Sequence, residues 1–186
     1  MSFSEDLVTA EKQQQELLGV KLDGLREFVA ALRQAVFDDL RRYLAAHLAA
    51  EQVWADPTSS PRPVGFNADT SRSGPVDPPM HEAATHVSEV MTAMEAVPVD
   101  SPQFNAGVEQ LAALVDAHVG VADRQIDALL RTGGERAAEE LLFAINAVPM
   151  MSSGEGHAVE RLDHFTYRDR FDEFRTAFQV MPRPHD

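Results

Sequence analysis

The feature that most constrains this chain is an apolar periodicity over residues 25–54, where apolar side chains recur at steps of three and four. Such steps keep side chains on one face of an α-helix, so the segment predicts a partly buried helical face. The turn between the first two helices is not placed more closely than residues 19–32. Its apolar positions are Leu25, Val29, Leu32, Val36, Leu40 and Leu44. The next two positions on this face carry His47 and Glu51 instead. A buried carboxylate needs a partner or a metal ion, and residues four apart can hold one ion between them. The alternative is a His–Glu pair that closes one end of the core.

The acidic composition limits the partners of the protein. With 186 residues and a formal net charge of −14, we expect one domain, with or without an appendage, that binds neither nucleic acid nor an anionic membrane surface. The sequence has no Cys, which excludes disulfides, thiolate nucleophiles and Cys-ligated metals. It shows no signal-peptide pattern, and no apolar run approaches the roughly 20 residues of a membrane span. We therefore expect a soluble, cytoplasmic protein.

Three further helices and a long loop are predicted around this segment. Helical periodicity covers residues 4–20, 80–97 and 104–130. Residues 56–79 are dense in Pro, Ser, Gly and Asp, which predicts an inserted loop. Because loops of this length inside a domain are usually functional or disordered, we interpret it as a cover over the His–Glu pair, with a mobile connector as the alternative.

Two more histidines fall near the same level of the predicted bundle. His118 replaces an apolar residue in the stripe of the fourth helix, and His86 flanks the stripe of the third. The short connection near Ser101 predicts that these helices are antiparallel neighbours, which brings both histidines to the end that carries His47. Imidazole and carboxylate ligands suit Fe, Zn, Mn or Cu, and bundle cores hold such sites. The pattern indicates a metal site, with ordinary core histidines as the alternative.

The residues after the fourth helix predict a helical extension. RTGG at 131–134 is typical of a helix end, and residues 135–148 predict a shorter fifth helix that stops at Pro149. Residues 157–181 predict one or two more helices, whose apolar side carries Phe165, Phe171, Phe174, Phe178 and Met181. An aromatic stripe at helical spacing is more often core than interface, so docking onto the bundle is favoured, and a homodimer is the alternative.

Four segments resemble the hemerythrin-like proteins with an HHE cation-binding domain. VFDDLRRYLAAHLAAEQVWADP resembles the second helix of the family with its H-x-x-x-E motif. HEAATHVSEVMTAMEAVPVDSPQFNAGVEQLAALVDAH resembles the third helix, the connector and the fourth helix, and HVGVADRQIDALLR is similar to the fourth-helix motif. DLVTAEKQQQ is similar to the segment of the first helix that carries a ligand. The resemblance implies an all-α, up-down four-helix bundle over residues 1–131, with 56–79 inserted, and a C-terminal extension over 132–186 packed on it.

The same resemblance implies a ligand set and a function. It implies that His47, Glu51, His86 and His118 are metal ligands, with Asp123 matching a variant of the fourth-helix motif. The implied cofactor is non-haem iron, as one or two ions, with zinc as the alternative. The implied partner is a small diatomic ligand, and the implied function is the handling of O₂, NO, peroxide or iron itself.

Two positions depart from the family pattern. Lys12 stands where the first helix normally supplies a His, and Ala122 stands where the fourth helix normally supplies a carboxylate. If the chain reverses near residue 29, Lys12 reaches the level of His47, which predicts a buried pair between Lys12 and Glu51. The remaining ligands suit one metal ion better than a bridged pair. Two alternatives stay open: a degenerate bundle that acts as a binding or structural module, and a DinB-like metal-dependent enzyme.

Overall fold

The structure, a computed structural model, describes residues 2–55, 78–153 and 166–181. Across these residues every regular element is an α-helix, which confirms the predicted all-α class for this part of the chain. The helices are α1 (Phe3–Glu27), α2 (Ala30–Ala55), α3 (Pro78–Glu95), α4 (Pro102–Ser152) and α5 (Tyr167–Val180). None of the described helices combines the length and apolarity that a membrane span requires. The predicted cover loop falls almost entirely outside the described residues.

The first two helices form an antiparallel hairpin whose turn lies at Phe28 and Val29. The turn lies within the interval 19–32 that the sequence left open, and Leu25 is buried at the end of α1 rather than in α2. Val29 and Leu32 are exposed, at 70% and 54%, although they continue the apolar periodicity. An ion pair between Lys21 and Asp39 links the two helices. Reversal at this turn brings the first half of α1 alongside the second half of α2.

A second hairpin joins α3 to the start of α4. The Ser101 hydroxyl accepts a hydrogen bond from the Phe104 amide at 3.1 Å, and Pro102 occupies the first turn, where a missing amide hydrogen costs nothing. Gly107 permits close contact between the two helices, because a Cβ atom there would lie 2.5 Å from Cγ of Met94. This hairpin fixes the position of α4 and hence of His118.

The second half of α4 runs parallel to α1. The Ser4 hydroxyl donates to the Glu135 carboxylate at 2.8 Å near the start of α1. Ten residues further along both helices, the Gln14 side-chain amide donates to the Ile145 carbonyl. These two contacts keep the same order along both segments, so the second half of α4 follows the direction of α1.

The first half of α4 runs the opposite way, so α4 folds back on itself. Near the end of α1, the Arg26 guanidinium makes two hydrogen bonds of 2.9 Å to the Glu109 carboxylate, far before residue 135. A straight α4, rising about 1.5 Å per residue, would instead carry residues 136–152 beyond the start of α1. These contacts place the reversal between Asp127, which lies beside residues 8–12 of α1, and Glu135, which contacts Ser4. The sequence predicts a helix end in this interval, at residues 131–134.

Helix α5 packs mainly against α2 and also contacts α3. It begins with a capping box between Thr166 and Asp169. Tyr167, Phe174 and Phe178 are buried in the same core cluster as α2, and Phe171 and Met181 pack partly against that cluster. The four-helix arrangement and the boundary at residue 131 remain predictions, because α5 and the second half of α4 share this core.

Candidate metal centre

Three of the five predicted ligands meet inside the core. Residues His47 and Glu51 lie one turn apart on α2, and His118 faces them from the first half of α4; their side chains are at most 5% exposed. Nε2 of His118 lies 2.7 Å from Oε2 of Glu51, and Nε2 of His47 lies 3.5 Å from Oε1 of Glu51. One ligand atom from each of the three lies within 4.8 Å of the others. A group of this size could hold one metal ion.

The α2 segment around the cluster is buried on every side. Four alanines flank the ligands, at positions 45, 46, 49 and 50, and each is fully buried. Their small side chains let α1, α4 and α5 approach the α2 backbone closely. Little water reaches the imidazole and carboxylate groups, so their mutual electrostatic interactions are stronger than on a surface.

Hydrogen bonds fix which nitrogen of His47 faces the cluster. The Ile145 carbonyl can only accept, so the Gln14 amide must present its NH₂ group to it and its oxygen to His47. Nδ1 of His47 lies 2.6 Å from that oxygen, so Nδ1 carries the hydrogen and donates it. In the neutral imidazole Nε2 then has a free lone pair, directed towards Glu51. A metal-ligating histidine is oriented in this way by a second residue.

Glu11 is a fourth member of the site, and it was not among the predicted ligands. Its carboxylate is 3% exposed, and Oε1 lies 3.8 Å from Nε2 of His47. Glu11 and Gln14 both occupy the buried face of α1, together with Leu7 and Leu18. The sequence does indicate a buried polar site here, because these two polar residues stand in an otherwise apolar stripe of α1.

The predicted pair between Lys12 and Glu51 is not formed. The hairpin turn does bring Lys12 to the level of His47, but the Lys12 side chain is exposed. Adjacent helical residues point about 100° apart, so the burial of Glu11 turns Lys12 outwards. The first helix therefore presents a carboxylate to the site at the level where an ammonium group was predicted.

Burial and neighbouring charges shift the pKa values of both carboxylates. Burial, reinforced by the charge of Glu51, raises the pKa of Glu11 from its ordinary value of 4.5 to about 8. Burial alone would also raise the pKa of Glu51, but the adjacent His118 and His47 lower it below its ordinary value. At neutral pH without a metal, Glu51 is therefore charged and Glu11 is mostly protonated.

The pKa values of His47 and His118 shift in opposite directions. Burial lowers the pKa of His47, and the attraction of Glu51 does not overcome this effect. Burial would also lower the pKa of His118, but the Glu51 carboxylate in contact with it raises the pKa above its ordinary value. The metal-free site thus contains a His118–Glu51 ion pair beside a neutral His47.

Several buried polar atoms of this site have no well-directed partner. Both ring nitrogens of His118 and Oε2 of Glu51 lack a hydrogen bond of good geometry to any described residue, although Nε2 and Oε2 are 2.7 Å apart. The lone pair of His47 faces carboxylate oxygens at 3.5 and 3.8 Å. Once their protons are released, these imidazole nitrogens and carboxylate oxygens offer converging lone pairs, and imidazole with carboxylate is a donor set for divalent transition metals. The residues present fit a metal ion.

Two predicted ligands do not join the cluster. His86 is exposed on α3, because Val87 and Val90 take the inward positions of this helix. Asp123 is exposed on α4, whereas Ala122, one turn after His118, is the buried residue. The charge of Asp123 still contributes to raising the pKa of Glu11. Asp123 therefore lies near the site, but it is not part of the cluster of His47, Glu51 and His118.

Comparisons with protein-family models, with curated proteins and with solved structures find no match to this chain. The hemerythrin-like identity therefore remains a prediction from the motifs, and no function is transferred from a relative.

Proposed function

We propose that the protein binds one divalent transition-metal ion through His47, Glu51 and His118, with Glu11 as the fourth ligand. The observation that carries this proposal is the orientation of His47, whose hydrogen-bonded Nδ1 leaves the Nε2 lone pair directed at two carboxylates. With both carboxylates ionised and both imidazoles neutral, the site carries two negative charges in surroundings that exclude water. A divalent cation neutralises these charges.

One ion is favoured over two by the number of ligands. A bridged pair needs several imidazoles and bridging carboxylates, and both His86 and Asp123 are exposed. Mixed nitrogen and oxygen donors suit iron, which the resemblance also implies, and zinc is the alternative. When bound, such an ion supplies a Lewis-acidic or redox centre that can take a small ligand, and we propose O₂, NO or peroxide as the candidates.

A second candidate function is a metal-free binding or structural module. The observation that favours it is the 2.7 Å contact of His118 with Glu51, because an ion pair neutralises both residues without a metal. With Glu11 protonated, the site then carries no net charge. In this case the cluster would stabilise the packing of α1, α2 and α4, and its polar atoms would serve no chemistry.

Metal binding by the purified protein distinguishes the two functions. We expect protein prepared without chelator to retain about one iron or zinc per chain, and the metal-free protein to bind one equivalent of Co²⁺ with new visible absorption bands. His118→Gln should weaken Co²⁺ binding more than about 100-fold, since loss of an outer-sphere partner alone costs 10–100-fold. His86→Gln is the matched control and should bind like the parent. Absence of retained metal and of Co²⁺ binding would favour the metal-free module.

A further inference from the structure

A cleft of about 260 Å³ separates α1 from the first half of α4, next to the cluster. It is lined by Val8, Glu11 and Lys12 of α1 and by Asp123, Ile126 and Asp127 of α4. Three of these side chains are exposed and charged, namely Lys12, Asp123 and Asp127. They surround the mouth of the cleft, whereas Val8 and Ile126 form an apolar wall.

Glu11 belongs both to this cleft and to the buried site. Its side chain is 3% exposed yet contributes to the cleft lining, and its Oε1 atom lies 3.8 Å from Nε2 of His47. The cleft therefore ends at a carboxylate that is already in contact with the site. Glu11 therefore connects the lining of the cleft to the imidazole of His47.

The charges around the cleft favour the entry of a cation. Two carboxylates at the mouth, on consecutive turns of α4, outnumber the single ammonium of Lys12. The chain as a whole carries a formal net charge of −14, which raises the concentration of cations near its surface. A narrow cleft between low-dielectric helices concentrates this field further.

We infer that this cleft is the path by which the metal ion enters and leaves the buried site, with Asp123 and Asp127 attracting the ion at the mouth and Glu11 receiving it at the floor. The inference rests on the proposed metal-binding function. The exposed acidic residues of α4 then determine how fast the metal ion binds, whereas the ligands determine the affinity of the site for it. Lys12 opposes entry, since its ammonium group repels a cation at the same opening.

A steric variant tests the path directly. In Val8→Trp, the larger indole side chain of the apolar wall narrows the cleft. Stopped-flow mixing of metal-free protein with Co²⁺ should then show association and dissociation rate constants reduced by the same factor, about tenfold, because a blocked path slows both directions alike. Gln13→Trp adds the same side chain to the exposed face of α1 and is the matched control, expected to leave both rates at the parent values. Equal rates in Val8→Trp and the parent would overturn the inference.

Charge variants test the mouth and do not depend on how Val8→Trp folds. At low ionic strength, Asp123→Asn combined with Asp127→Asn should slow Co²⁺ association about three- to tenfold, and Lys12→Gln should accelerate it, with both effects fading in 0.5 M salt. Asp116→Asn, an exposed change of equal charge on the same helix, is the control and should have a smaller effect. If the double variant slows Co²⁺ association no more than Asp116→Asn does, the proposed entry path is wrong.

The outcomes separate the inference from the function on which it rests. If the parent binds no Co²⁺ at all, the proposed function fails. If the parent binds Co²⁺ and the cleft variants bind it at the same rates, the proposed metal site is retained but the ion enters by another path.

Discussion

Replacing Glu11 by Gln is expected to remove a pH-dependent loss of stability from the metal-free protein. In the unfolded chain this carboxyl group ionises near its ordinary pKa of 4.5, whereas in the folded protein its pKa is about 8. Between these values the unfolded chain has lost the proton and the folded protein keeps it, so rising pH favours unfolding. The stabilising contribution is therefore complete below pH 4.5 and is lost as the pH rises to about 8.

The magnitude follows from the size of the shift. At about 1.4 kcal/mol per pH unit, the rise from 4.5 to about 8 corresponds to a free energy of roughly 3–5 kcal/mol. The side chain of Glu11 is 3% exposed, so solvent screening does not reduce this value appreciably. Glutamine fills nearly the same space and has no proton to lose, so Glu11→Gln should lack this contribution.

Urea denaturation with a chelator present, at pH 5 and pH 8, measures the difference. The free energy of unfolding of the parent should fall by about 3–4 kcal/mol more than that of Glu11→Gln over this interval. Glu16→Gln removes an exposed carboxyl group from the same helix and should follow the parent. If the parent and Glu11→Gln lose stability equally, Glu11 is not buried as a protonated acid and the reasoning is refuted.

Three further predictions follow from the same packing. Gln14→Met should weaken Co²⁺ binding about 10–100-fold in a spectral titration, because it removes the acceptor that orients His47. Phe178→Ala should cost about 3–5 kcal/mol in urea denaturation, whereas Phe143→Ala, at a residue 41% exposed, should cost much less. Affinity for Co²⁺ should rise with pH up to about 8, since Glu11 must release its proton to bind the ion, and this rise should be shallower in Glu11→Gln.

Local periodicity was sufficient to find the centre of the site. His47, Glu51 and His118 each replace an apolar residue in a helical stripe, and a stripe position is buried whenever the helix packs by that face. The structure buries all three. Position along a helix face is a property of the segment itself, so it can be predicted without knowing the neighbouring helices.

The other predicted ligands depended on how helices pack against one another. Distinguishing Glu11 from Lys12 required the rotation of α1 about its axis, and one residue changes that direction by about 100°. The position of His86 likewise depended on the rotation of α3, which turns Val87 and Val90 inwards and leaves His86 exposed. No turn dipeptide marks the reversal at Phe28, and the apolar spacing continues across it, so the sequence placed the turn only within residues 19–32.

X-ray absorption spectroscopy of the metal-loaded protein tests most directly the claim that His47, Glu51, His118 and Glu11 hold one ion. We expect about four nitrogen and oxygen donors near 2.0–2.2 Å, before any small ligand is added, and outer-shell scattering from two imidazole rings. We also expect no second metal at about 3.5–4 Å. In His118→Gln loaded to the same occupancy, the scattering should fall to one imidazole. A spectrum without imidazole scattering, or one unchanged in His118→Gln, would contradict the account.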